Sequence, residues 1–221
     1  MKLVGAIVVL AVLAGCTDTT STPTDPTSAP TSPTRTLRPS TPAPTLVPRP
    51  TPAGPVTMSI PAIGVRGLRV IAYRGTADDR PGTKIQDRGV AASPRGKAGG
   101  VGPGEIGNFI ITGHRVSHGR PLERVPELQN GDHILITAGG TVYDYVVSRT
   151  MTISFRKPAE KAQQNAAVPG SPGAKPTRAM ITISTCATIE DHAAGNFWHD
   201  DLGNPEHRIN KIGALVASHP A

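Results

Sequence analysis

The chain has 221 residues, a formal net charge of +7 and aromatic residues at only 3% of its composition. This length allows one domain of ordinary size with appendages. The positive charge is scattered as single Arg and Lys residues with no interleaved aromatic residues, which argues against a nucleic-acid-binding protein. A basic surface that faces anionic wall polymers or lipid headgroups is the simpler explanation of the charge.

The chain begins with an apolar run over residues 3–13, which is too short for a standard membrane span but suits the core of a signal peptide. The run ends in Leu13-Ala14-Gly15-Cys16, which resembles the lipobox of bacterial lipoproteins, whose cysteine is lipidated. We therefore expect residues 1–16 to be a lipoprotein-type signal peptide, with Cys16 as the lipidation site. An uncleaved signal anchor is the alternative. Either one places the protein at the extracytoplasmic face of the cell membrane, held there by its lipid or by its anchor.

Residues 17–55 are almost entirely Thr, Pro, Ser and Ala. Such a segment cannot bury enough apolar surface to offset its ordering entropy, so we expect a disordered tether. The tether would hold the following domain, residues 56–221, away from the membrane.

The domain alternates short β-branched runs with turns rich in Gly and Pro. Strands are predicted over residues 56–60, 68–73, 108–112, 133–137, 141–153, 180–186 and 212–217. Loops are predicted over residues 75–107, 155–178 and 187–206, and a short helical turn over 121–128. Since almost no amphipathic helix is visible, we expect an all-β barrel or sandwich.

Cys186 stands at the end of the predicted strand 180–186, whose alternation is typical of a half-buried strand. The chain has two cysteines, and a lipidated Cys16 could not pair with Cys186, so we expect Cys186 to be a free thiol. A free cysteine is more often buried packing than a nucleophile. An unpaired thiol outside the cytoplasm favours a use for it, and two other stretches, Thr112-Gly113-His114-Arg115 and His207-Arg208, offer groups that a thiolate enzyme needs.

A series of motifs follows one order along the domain. They are Ser59-Ile60-Pro61-Ala62-Ile63-Gly64-Val65, Pro103-Gly104-Glu105-Ile106-Gly107-Asn108, Thr112-Gly113-His114-Arg115, Asn130-Gly131-Asp132, Ile183-Ser184-Thr185-Cys186 and Arg208 at the start of the last strand. In this order they resemble the motifs of sortases, the cysteine transpeptidases of Gram-positive surfaces. The pair at residues 114 and 115 and the run at 118–121 look most like the class E enzymes of actinobacteria. The resemblance implies a closed barrel of about eight strands with short helices and long loops.

The resemblance also implies that Cys186, His114 and Arg208 are catalytic. Cys186 would attack the Thr carbonyl of a Leu-Pro/Ala-x-Thr-Gly sorting signal on a surface protein, and His114 would protonate the departing Gly amine. Arg208 would stabilise the oxyanion or fix the substrate backbone. A peptidoglycan-precursor or pilin amine would resolve the thioacyl intermediate. Substrate-binding residues are expected to be Thr185, Arg115, Ser184 and Trp198, the last in a loop that could act as a lid.

We expect neither a cofactor nor a metal. His192, His199 and His207 lie with acidic residues in the loop before Arg208, but their irregular spacing favours a solvated polar segment. Activation by calcium is not expected, because the loop 155–178 contains Glu160 as its only acidic residue.

Two other functions remain open at this point. One is a non-catalytic sortase-like binding lipoprotein, which a buried and unreactive Cys186 would favour. The other is an L,D-transpeptidase acting on peptidoglycan, although that family keeps its His-Gly and Cys elements closer together than His118-Gly119 and Cys186 stand here.

Overall fold

The computed structural model describes residues 54–221. This part of the chain forms eight strands, which are β1 (Val56–Ile60), β2 (Val65–Arg74), β3 (Ala91–Arg95), β4 (Gly107–Thr112), β5 (His133–Ala138), β6 (Thr141–Ser154), β7 (Ala179–Cys186) and β8 (His207–Pro220). The strands close into one barrel in the order β1-β2-β3-β4-β7-β8-β6-β5. The predicted closed, all-β barrel is therefore confirmed.

The N-terminal predictions cannot be compared with the structure. The signal peptide predicted over residues 1–16, with Cys16, lies outside the described residues, as does nearly all of the tether predicted over 17–55. Within residues 54–221, no helix is both long and apolar enough to cross a membrane.

The core of the barrel is mainly aliphatic, in keeping with the low aromatic content. Phe109 and Ile111 of β4 and Ile181 and Ile183 of β7 are each 0% exposed and belong to one hydrophobic cluster. These residues alternate along their strands, and the parallel register aligns Phe109 with Ile181 and Ile111 with Ile183. One face of both strands therefore lies in the core.

Strand β7 is buried on both faces, so the prediction of a half-buried strand was wrong. Its second face carries Thr182 and Ser184, which are also 0% exposed. Helix α2 (Pro158–Asn165) packs on this face, where the Gln164 side chain donates a hydrogen bond to Ser184 Oγ at 2.9 Å. Ser184 therefore contacts a helix, and the Thr182 hydroxyl donates to Asn108 Oδ1 of β4 at 2.8 Å, so neither side chain faces solvent.

The three segments predicted as loops contain regular structure, contrary to the prediction. Helix α1 (Arg80–Gln86) and strand β3 lie in the segment 75–107, α2 lies in 155–178, and α3 (Thr188–Ala193) lies in 187–206. The α1 helix begins at Asp79, whose side chain accepts a hydrogen bond from the Gly82 N–H at 2.9 Å. Each of these elements has at most eight residues, too few for a hydrophobic period to reveal it. The helical turn predicted over 121–128 is a 3-10 turn at Val125–Glu127.

Strand directions place three chain segments at one edge of the barrel. Strands β4 and β7 are parallel, with Thr112 aligned with Ser184, so their C-terminal ends lie side by side. Strands β7 and β8 are antiparallel, with Cys186 directly opposite Arg208. The residues that follow β4, the last residue of β7 and the first residues of β8 therefore meet.

Candidate active site

Hydrogen bonds tie the segment after β4 to the end of β7. The Gly113 N–H donates to the Ser184 carbonyl at 3.3 Å, and the Thr185 hydroxyl donates to the Gly113 carbonyl at 2.9 Å. A Cβ atom at Gly113 would lie 2.8 Å from the Leu122 side chain, so this close approach favours glycine. His114, the next residue, therefore starts from a backbone that is fixed against β7.

Cys186 is a free and half-buried thiol at the end of β7. Burial raises the pKa of the Cys186 thiol, and the carboxylates of Asp78 and Asp200 raise it further. The guanidinium groups of Arg208 and Arg115 act in the opposite direction, because positive charge favours the thiolate. The thiol therefore lies among two cations and two anions, and its pKa in the free protein is above the ordinary value.

Arg208 is only 1% exposed and is held on several sides. Its Nε donates to Asp78 Oδ2 at 3.1 Å, and its Nη1 donates to the carbonyls of Pro205 at 2.9 Å and His207 at 3.2 Å. The guanidinium carbon lies 3.9 Å from the centroid of the Phe155 ring. The remaining nitrogen, Nη2, is buried without a hydrogen-bond partner in the described part of the chain. One nitrogen of a fixed guanidinium is thus left to bind another group.

Asp78 is the main residue of this site that sequence reasoning missed. It is 8% exposed and adopts a left-handed backbone conformation, with φ of 58°. Its Oδ1 accepts a hydrogen bond at 3.1 Å from Gln86 Nε2, which also donates to Thr112 Oγ1 at 3.0 Å. Asp78 thereby connects Arg208 on β8 with helix α1 and the end of β4. The sequence Asp78-Asp79 signals a helix cap, but no local pattern separates the capping residue from the one that pairs with Arg208.

His114 follows β4, and its side chain is 13% exposed. Its Nε2 lies 2.8 Å from Asp87 Oδ1, and its ring stacks on that of His118 with centroids 4.6 Å apart. Asp87, at the end of α1, was also not predicted. Across residues 54–221 no hydrogen bond joins His114 to Cys186. Catalytic hydrogen bonds of free enzymes often form only when substrate is bound, so this geometry is compatible with proton transfer between the two groups.

Three of the predicted substrate-binding residues make contacts within the protein. Arg115 donates to the Cys186 carbonyl at 3.3 Å and pairs with Glu190 of α3. Ser184 accepts the hydrogen bond from α2, and Thr185 donates to the segment after β4. These side chains hold the surroundings of Cys186 in place, and direct contact with substrate stays a prediction for each.

Trp198, the fourth predicted substrate-binding residue, lies beyond α3 and is half-buried. The guanidinium carbon of Arg156 lies 5.7 Å from the centroid of its ring. The same segment contains Asp200, which raises the pKa of the Cys186 thiol. Part of the segment 187–206 is therefore near the thiol, and its role as a lid stays a prediction.

The three histidines considered as metal ligands before Arg208 have other contacts. His207 Nδ1 lies 2.6 Å from Asp191 Oδ1, His199 Nδ1 lies 3.3 Å from the Asp200 carbonyl, and the His192 ring contacts Phe197. Over residues 54–221, the one group of three potential ligands that converges is Asp87, His114 and His118.

Comparisons with known proteins agree with this fold. A family model described as a sortase domain matches residues 58–197. Among solved structures, the chain is similar to the SrtA sortase from Actinomyces oris, with 21% identity, a TM-score of 0.57 and coverage of 81% of this chain and 89% of that one. It is also similar to sortase E from Streptomyces avermitilis, with 22% identity, a TM-score of 0.54 and coverage of 77% and 91%. Sortase E1 from Streptomyces coelicolor matches with 21% identity, a TM-score of 0.55 and coverage of 76% and 90%. Comparison with curated protein sequences finds no match.

Proposed function

The chain belongs to the sortase family, and from this premise we propose that it is an extracytoplasmic cysteine transpeptidase that uses Cys186, His114 and Arg208. Sortases act outside the cytoplasm on proteins that carry sorting signals. They transfer these proteins to amine acceptors. The proposed substrate carries a Leu-Pro/Ala-x-Thr-Gly signal, and the proposed acceptor is a peptidoglycan-precursor or pilin amine. The observation that supports the proposal is that the chain segments carrying the three residues meet at one edge of the barrel.

In the first half of the reaction, the Cys186 sulfur attacks the Thr carbonyl carbon and the Thr–Gly bond breaks. The thiol proton passes to His114, which then gives a proton to the departing Gly amine. Since burial raises the pKa of the Cys186 thiol, the free enzyme holds the proton on sulfur at neutral pH. Deprotonation of the thiol is therefore a step of the reaction, with His114 as the proposed proton acceptor.

Arg208 stabilises the negative charge that develops on the Thr carbonyl oxygen. Its Nη2 has no protein partner in the described residues, while its other two nitrogens are held by Asp78 and by backbone carbonyls. A donor that is held in place before the reaction can stabilise the oxyanion. Nη2 is buried in the free protein, so substrate binding must uncover it. Asp78 acts through Arg208 and is a positioning residue.

In the second half, the acceptor amine attacks the thioacyl carbon, the C–S bond breaks and Cys186 leaves as a thiolate. His114 takes a proton from the attacking amine and passes it to this thiolate, which restores the thiol. Water in place of the amine would give hydrolysis by the same steps.

We also propose that Cys16 carries the lipid that holds the protein at the membrane. The lipobox-like Leu13-Ala14-Gly15-Cys16 and the apolar run before it support this proposal. Two acyl chains would give stable anchoring, whereas one would not.

The test incubates the full chain with quenched peptides that contain Leu-Pro-x-Thr-Gly or Leu-Ala-x-Thr-Gly, with and without an amine acceptor. We expect a thioacyl adduct on Cys186 by mass spectrometry and an amine-ligated product. Cys186→Ala should lose the adduct and reduce turnover to the background rate. A folded protein with a free thiol that forms no adduct with either peptide would overturn the proposal and favour the binding-lipoprotein alternative.

The second cysteine offers a matched control. Cys16→Ser should retain the adduct and the turnover, because Cys16 lies far along the chain from the sortase domain. The same variant should lose incorporation of labelled fatty acid in cells, and unchanged incorporation would reject lipidation at Cys16.

The L,D-transpeptidase alternative finds no support, since the matching family model is that of sortases.

A further inference from the structure

Two imidazoles and a carboxylate converge beside the barrel edge that carries Cys186. Asp87 follows helix α1, His114 follows β4, and His118 lies four residues later on a left-handed backbone with φ of 49°. Asp87 Oδ1 lies 2.8 Å from His114 Nε2 and 3.8 Å from His118 Nδ1. One ligand atom from each residue can be chosen so that all three lie within 4.8 Å of one another.

This set has the chemistry and nearly the spacing of a zinc site. Zinc binds imidazole nitrogen and carboxylate oxygen at about 2.0–2.2 Å with tetrahedral geometry, which places ligand atoms about 3.3 Å apart. The observed separations of 2.8 and 3.8 Å lie on either side of this value, so small rotations of the side chains would admit the ion. Side-chain exposures of 42% for Asp87 and 45% for His118 leave access for the ion and for a water ligand.

We propose that Asp87, His114 and His118 bind a zinc ion, and that the bound ion switches the enzyme off. The ion occupies the His114 nitrogen that contacts Asp87 and fixes the imidazole as a neutral ligand. An imidazole bound in this way cannot carry the proton from the Cys186 thiol to the leaving amine. The inhibition rests on the proposed function, whereas the binding does not.

Other His–carboxylate pairs lack the third ligand. His133 Nδ1 lies 2.8 Å from Asp144 Oδ1 in the hairpin of β5 and β6, and no further ligand joins them to form a group of three within residues 54–221. His133 therefore provides a matched control, since it is an exposed histidine paired with a carboxylate at the same distance as His114.

The binding experiment is a calorimetric titration of zinc chloride into the full chain without a histidine tag. It is carried out on wild type, Cys186→Ala, His118→Asn, Asp87→Asn and His133→Gln. Asparagine suits position 118 because it tolerates the left-handed backbone. Asparagine at 87 can still accept the hydrogen bond from His114, so neither change should unfold the protein, and circular dichroism checks both.

We expect one zinc ion per chain in wild type, Cys186→Ala and His133→Gln, and affinity at least about tenfold weaker in His118→Asn and in Asp87→Asn. Loss of binding in Cys186→Ala would place the ion on the thiol and overturn the proposal. Equal affinity of wild type, His118→Asn and Asp87→Asn would overturn it as well.

The activity experiment uses wild type, His118→Asn, Asp87→Asn and His133→Gln with the sorting-signal peptide. Zinc should inhibit wild type reversibly on addition of a chelator, and the half-inhibitory concentration should rise at least about tenfold in His118→Asn relative to His133→Gln. Inhibition that is equal in both variants would overturn the switch. If no peptide is turned over at all, the proposed function has failed, and the titration still decides whether the site binds zinc.

Discussion

Strand β8 carries two buried cations three residues apart, Arg208 and Lys211, which are held in different ways. Arg208 pairs with a buried carboxylate and keeps one nitrogen without a partner. Lys211 donates only to neutral acceptors, the Leu128 carbonyl at 2.7 Å and Thr150 Oγ1 at 2.9 Å. Burial lowers the pKa of Lys211, and the Asp132 carboxylate, which makes no hydrogen bond to the ammonium group, offsets this lowering only in part.

The two side chains also lie on opposite faces of the strand, because their spacing is odd. Arg208 is aligned with Cys186, whereas Lys211 is aligned with the core residue Ile183. The comparison indicates a division of roles along one strand. Arg208, held with an unused donor next to the thiol, is the cation that we propose for the reaction. Lys211, whose donors go to neutral groups, ties a loop and a neighbouring strand to the barrel.

The largest effect on activity is expected from Arg208→Lys. Lysine keeps the charge but lacks the planar fork that contacts Asp78 and the two carbonyls and that, in the proposed mechanism, also binds the substrate oxygen. We expect kcat/KM for the sorting-signal peptide to fall by about 100-fold or more, as for the loss of an oxyanion donor. The measurement is steady-state turnover at fixed pH, and near wild-type kcat/KM would remove Arg208 from the mechanism.

Asp78→Asn is expected to reduce peptide turnover less than Arg208→Lys does. The same variant should increase the rate of thiol alkylation. The variant removes a negative charge that raises the pKa of the Cys186 thiol, so alkylation by iodoacetamide at neutral pH should become faster. Peptide turnover should nevertheless fall by about tenfold, because Arg208 loses the charge-assisted hydrogen bond that positions it. A merely structural role for Asp78 would change the two rates in the same direction or leave both unchanged.

The neighbouring residue provides the control for Asp78. The Asp79 carboxylate accepts from the Gly82 N–H and from the Thr76 N–H, and asparagine can keep the first of these bonds, which caps α1. Asp79→Asn should leave the alkylation rate and the turnover near those of wild type. If it reproduced the effects of Asp78→Asn, those effects would belong to the helix and not to the ion pair with Arg208.

The sequence was sufficient for the parts of this site that lie on strands. The β-branched runs predicted the ends of β4 and β7, and with them the positions of His114 and Cys186 at strand ends. Asp78 could not be predicted in the same way, because its partner Arg208 is 130 residues away and no local pattern links them. The helix α2 has only eight residues, too few for its hydrophobic period to be recognised. Without this helix, the alternation along β7 predicts that its polar face is exposed to solvent.

Lys211→Met should have the smallest effect on activity, because we expect Lys211 to contribute to stability and Arg208 to the reaction. We expect kcat/KM to stay within about twofold of wild type, since Lys211 lies on the face of β8 opposite to Arg208. The Leu128 carbonyl and Thr150 lose their donor, so the free energy of unfolding at neutral pH should fall by about 1–3 kcal/mol in urea denaturation. Lys97→Met, at an exposed lysine, controls for the added apolar side chain.

The pH dependence of the difference in unfolding free energy between wild type and Lys211→Met tests whether Lys211 is a buried cation without a carboxylate partner. Because the pKa of Lys211 is lower in the folded protein, the unfolded chain binds more protons between the folded and the ordinary lysine pKa. Wild type should therefore gain stability relative to Lys211→Met as the pH rises through that alkaline window, and the gap between them should widen. A gap that narrows would mean that folding favours the charged ammonium, as it would for a lysine held by a carboxylate. Lys211 would then resemble Arg208, and the division of roles along β8 would be wrong.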